Sequence, residues 1–100
     1  MGHAVLRIEG LPESALDAAA AYHAEWLPAA RALSGNLVLV FPAAAYDHRG
    51  WRLAAIQDLA RQAAPGRVNG VAGADEQAMA TTIEWLARAP GITGQLLAVD

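Results

Sequence analysis

Cysteine is missing from this chain, and so is lysine. Without thiols there is no disulfide framework and no thiolate metal site. The three histidines, His3, His23 and His48, stand at no ligand spacing, so no metal is expected. All cationic charge rests on seven scattered arginines, and ten acidic residues bring the net charge to −3. A basic stripe, the electrostatic footprint of a nucleic-acid binder, is therefore excluded. No apolar run reaches the length of a membrane span. The opening MGHAVLRIEG lacks the charged segment and apolar stretch of a secretory leader. Gly2 does not start a myristoylation motif either, because Leu6 and Arg7 stand where Ser or Thr is needed. The expected location is the cytoplasm, with neither nucleic acid nor membrane as a partner.

What the chain does have is apolar surface. Its 100 residues are 55% hydrophobic, above the ordinary ~45–50%. A domain of this size buries only about two-thirds of its unfolded surface, so part of that apolar area is expected to face another chain. Residues 1–100 read as one domain. Four short runs, Ala4–Ile8, Asn36–Phe41, Arg67–Gly73 and Gln95–Val99, read as strands, and the continuous apolar stretch within Asn36–Phe41, without alternation, indicates strands covered on both faces. Between them lie three helical stretches. The first follows Ser14 and runs to about Leu33, with Pro28 near its last turns. The second runs from Asp47, an expected N-cap, to Ala64, and the third is capped by Asp75 and runs to about Ala89. The pattern predicts an α/β fold with a four-stranded parallel sheet and three helices.

Helical spacing also assigns faces. The first helix carries an apolar stripe wider than one sheet contact needs, holding Leu16, Tyr22, Trp26, Leu27 and Leu33. On the second, Leu53, Ile56, Leu59, Ala60 and Ala63 form the core face, and Trp51 falls opposite, beside Ala54 and Ala55. On the third, Met79, Ile83 and Leu86 point inward and Trp85 does not. Tyr22, Trp26, Trp51, Ala54, Ala55 and Trp85 are thus expected at an interface with another chain, and an oligomer is expected.

Three stretches carry a resemblance. APGRVNGVAG (Ala64–Gly73), DEQAMATTIEWLA (Asp75–Ala87) and ITGQLLAVD (Ile92–Asp100) resemble the C-terminal part of the short-chain dehydrogenase/reductase family. That family has an RVN strand, an acidic-started helix and an ITG-led final strand there. LPAARALSGNLVLVF (Leu27–Phe41) is similar to the family's fourth helix and fifth strand, and AVLRIEG (Ala4–Gly10) to its fourth strand. The resemblance implies a truncated Rossmann-like fold. It also implies that the first two helices and the last helix and strand, with Leu96, make subunit contacts.

The departures bear on chemistry. No Gly-rich strand-to-helix turn is present to hold a pyrophosphate. Pro42 or Ala43 stands where the family has its catalytic serine. The Tyr-x-x-x-Lys pair needs an ammonium four residues from a phenol, but Tyr46 is followed by Gly50, and Arg49 is preceded by Ala45. The resemblance therefore implies a non-catalytic, dehydrogenase-like interaction subunit that oligomerises or docks on a full-length short-chain dehydrogenase. No cofactor is expected unless a partner supplies the nucleotide-binding half for NAD(P). Two alternatives stand beside it. One is an oxidoreductase completed by a partner chain, with Tyr46, His48 and Arg49 as its catalytic candidates. The other is a small-ligand binding module using the crevice at the ends of Phe41 and Gly73, where open α/β sheets bind ligands. For Asp47-His48-Arg49 the ordinary reading is a cap and a solvated first turn. For Asp75-Glu76 it is a negative helix start, and for Asn69 it is satisfaction of backbone groups.

Overall fold

The computed structural model describes residues 3–33 and 35–99. Its elements are β1 (Ala4–Arg7), α1 (Ala15–Ala21), a π-turn (Tyr22–Trp26), α2 (Leu27–Ala32), β2 (Leu37–Pro42), a 3₁₀ turn (Tyr46–His48), α3 (Arg49–Ala63), β3 (Val68–Gly73), α4 (Glu76–Ala87) and β4 (Leu96–Ala98). The strands form one all-parallel sheet in the order β1-β2-β3-β4. This is a Rossmann-like α/β arrangement with three helical stretches. Among the described residues no helix is long and apolar enough to cross a membrane.

β2 explains why the apolar runs are continuous. Leu37, Leu39 and Phe41 face Tyr22, Ala30, Ile56 and Leu59 from the first two helical stretches. Val38 and Val40 face the other way, with Val71, against Met79 and Leu86 of α4. Both faces are dry, as parallel strands require.

The first helical stretch is not uniform. Pro28 has no N–H and its ring would collide with the carbonyl four residues back. The backbone widens just before it, and Leu27 N–H reaches Tyr22 O, five residues back. Leu16, expected on the apolar stripe, is 83% exposed. His23 also lies exposed, its Nδ1 2.8 Å from Ala19 O.

The topology contains a constraint. The connections β1 to β2 and β2 to β3 both place their helices on the Leu39 face, whereas β3 to β4 runs through α4 on the Val40 face. The strand order continues in one direction, so the last crossover is opposite in hand to the first two. Parallel connections are right-handed in about 98% of cases, and a departure of this kind needs fastening.

The fastening is polar and sits at the amino ends of β3 and β4. Arg67 Nη1 donates to Leu86 O at 3.1 Å and Ala89 O at 2.8 Å, at the C-terminus of α4, where a cation is favoured. Asn69, fully buried, donates to Ile92 O and accepts from Gln95 N–H. Thr93 Oγ1 accepts from Val68 N–H, and Gly94, at φ 74°, donates its N–H to Val68 O. At the other end, Asp75 caps α4 by accepting from Gln77 and Ala78 N–H, as the sequence predicts.

Two outcomes follow. Arg67→Gln should lose its charge-assisted bonds to the end of α4, costing about 2 kcal/mol. A fall in melting temperature of roughly 8–16 °C, with faster amide exchange in α4 than in β2, checks this. Among the described residues His3 has no hydrogen-bond partner on either ring nitrogen, and burial first, then the Arg67 charge, hold its pKa below 6.5. The unfolded chain therefore takes up that proton more readily, and stability falls as pH drops below about 6.5. Thermal melts across this range should show that slope, and it should be shallower in His3→Asn.

Candidate functional site

β2 ends in Pro42, and the chain then crosses the carboxyl edge of the sheet as Ala43-Ala44-Ala45 before the 3₁₀ turn and α3. Two crevices open on either side of this crossing. One, of about 220 Å³, is walled by Ala43–Ala45, Tyr46, Arg49, Leu96 and Val99. The other lies towards Gly10, Leu11 and Glu13. His48 and Arg52 line both. Gly73 helps shape the first: a Cβ there would run into the Val99 carbonyl, so only glycine lets β3 and the end of β4 approach so closely.

The candidates from sequence land near one another but in different states. Tyr46 is 85% exposed. Its helical neighbour four residues on is Gly50, so no ammonium stands at that spacing to stabilise a phenolate. His48 is buried, with both ring nitrogens engaged: Nε2 donates to Glu13 O at 2.8 Å, and Nδ1 accepts from Trp51 Nε1–H at 3.2 Å. Arg49 is exposed on the rim. The N-terminus of α3 has no side-chain cap, and Asp47 lies in the 3₁₀ turn instead of at the expected capping position.

The aromatic residues expected at an interface need correction. Trp51 does not point outward. Its ring is half-buried against the core, 5.6 Å from Tyr22 and 5.9 Å from Phe41. Tyr22 is fully buried and Ala55 is 5% exposed. Both therefore lie inside this chain. Trp26 and Leu96 are half-buried against the same core. Only Ala54 and Trp85, the latter 54% exposed, face outward as expected.

The reason is a rotation of α3 about its axis. Its buried stripe is Arg52, Ala55, Ile56, Leu59 and Ala60, with Leu53 only half-buried. Arg52 is not among the residues singled out from sequence, because a hydrophobic wheel passes over a charged side chain. Its spacing of three and four residues from Ala55 and Ile56 was the available signal. Arg52 is 5% exposed. Its Nη1 donates to Pro42 O at 3.0 Å, and its guanidinium lies 4.7 Å above the Phe41 ring. Its Nε–H has no partner, and no carboxylate pairs with it among the described residues. Burial pushes its pKa below the ordinary arginine range.

Among the described residues no cluster of His, Asp and Glu is placed to hold a metal. The crevice offers one buried cation, a tied histidine, an exposed phenol and alanine walls. Those groups can bind and orient, but they form no proton-transfer pair.

Comparison with known proteins adds the lineage. The model of a family described as short chain dehydrogenase-like protein matches residues 6–99. No curated protein and no solved structure matches.

Tyr22 supplies a test of the packing. Its hydroxyl is buried without a hydrogen-bond partner, and burial, opposed by the Arg31 charge, raises its pKa above 10.0. Tyr22→Phe removes only that orphaned group. It should therefore leave the chain as stable or gain about 1 kcal/mol, read from chemical denaturation. A loss of that size would mean that the hydroxyl has a partner and that the ring sits differently.

Proposed function

Because the chain belongs to the short-chain dehydrogenase-like family, we propose that it acts as a non-catalytic, dehydrogenase-like interaction subunit. It associates with a second copy or docks on a full-length short-chain dehydrogenase. The observation that carries this reading is the outer strand. Among the described residues β1 pairs only with β2, and its other edge is a row of N–H and C=O groups open to a further strand. Beside that edge the sheet is bare on one face. α4 covers Val38, Val40 and Val71 but leaves Val5 48% exposed. An apolar residue next to an open edge is a template for pairing with another chain.

The chemistry of the crevice supports the non-catalytic part. Pro42, the last residue of β2, and Ala43 stand where the family carries a serine. Tyr46 lacks its basic neighbour, and both nitrogens of His48 are committed to structure. In this reading NAD(P), where it is used at all, is held by the partner.

Val5→Glu tests the edge. The substitution is at an exposed position and should change stability by no more than about 0.5 kcal/mol. Sedimentation of the wild-type chain, alone or with a short-chain dehydrogenase from its own cells, should give a mass above the 10.4 kDa monomer. Val5→Glu should return it to the monomer. A wild-type chain that remains monomeric under both conditions would refute the proposal.

A further inference from the structure

Arg52 is costly where it sits. A buried unpaired charge loses several kcal/mol of hydration. The groups around it return only part: one hydrogen bond to Pro42 O and stacking on Phe41 and Trp51, at 4.7 and 5.8 Å. A guanidinium carries five N–H donors, and the described bonds use one. Ala55, Ile56 and Leu59 continue the same stripe as ordinary core residues, so the fold itself would be served by an apolar side chain at position 52. The charge instead lines both crevices that open beside the Ala43–Ala45 crossing.

We propose that Arg52 makes the crevice at the carboxyl ends of β2 and β3 a binding site for a small carboxylate with a short apolar body. The argument is one of charge and shape. A single buried cation is neutralised by a single negative charge, and the planar guanidinium fork matches a carboxylate bidentately. A phosphate dianion would need further buried donors, and Arg49, on the rim, is exposed. The walls set the rest of the ligand: Ala43–Ala45, Leu96 and Val99 offer methyl groups to an aliphatic tail. The space, about 220 Å³, is below the ~300–1,000 Å³ of drug-sized sites, so the tail is short. The site does not depend on association through β1, and either proposal can fail without the other.

Calorimetric titration of the whole chain with hexanoate tests it, with 1-hexanol and inorganic phosphate as comparison probes. Hexanoate should bind saturably, one per chain, and at least about tenfold tighter than either comparison probe. Arg52→Met should weaken hexanoate at least about tenfold, while its ligand-free melting temperature stays level or rises, as when a buried charge is replaced by an apolar group. A purely structural arginine would lower it. Should Arg52→Met fail to fold, Arg52→Lys decides: it keeps the charge but loses the fork, and weakened hexanoate binding supports the site, whereas unchanged binding overturns it. The proposal is also overturned by absent binding, by equal binding of hexanol or phosphate, or by binding retained in Arg52→Met.

Discussion

The fold depends on the attachment of α4 to the amino ends of β3 and β4. A short parallel sheet with all its helices on one face would leave Val38, Val40 and Val71 in water. Placing α4 opposite buries them, but it requires a crossover opposite in hand to the other two. Arg67 and Asn69 hold that crossover through bonds to the backbone at Leu86, Ala89, Ile92 and Gln95. Backbone carbonyls at a helix end attract a cation, and a buried amide can both donate and accept. Two side chains at the start of β3 thus decide whether the sheet has one dry face or two.

The two ends of the sheet divide the work. At the amino ends of β3 and β4 Arg67, Asn69 and Thr93 find backbone partners, and their effect is structural. At the carboxyl end the chain crosses on three alanines, and Arg52 lies beneath with most of its donors unused. His48, which sequence alone leaves open as a proton carrier, ties the Glu13 carbonyl to the Trp51 indole and fixes the entrance of α3.

Much of the fold is legible in the sequence. β2 could be read because five consecutive buried residues, Leu37–Phe41, admit only a strand covered on both faces. The cap of α4 could be read because Asp75 precedes an apolar stripe. The faces of α3 were harder. Arg52 and Trp51 carry the wrong labels for a simple hydrophobic wheel, since a charge is assigned to solvent and a flanking tryptophan to the far side. The actual stripe is set by Tyr22 and Phe41, which make an aromatic seat for Trp51 and a face for the Arg52 guanidinium. Those contacts join residues about 10 to 30 positions apart, beyond the reach of any local pattern. The widened turn before Pro28 is local, by contrast, and follows from the missing N–H.

The most direct measurement is dinucleotide binding and turnover by this chain. NADH or NADPH fluorescence should stay flat on titration, and no carbonyl substrate should be reduced at a rate above buffer. Saturable nucleotide binding with hydride transfer that Tyr46→Phe abolishes would contradict the account. It would place dehydrogenase chemistry in the crevice at the carboxyl end of the sheet.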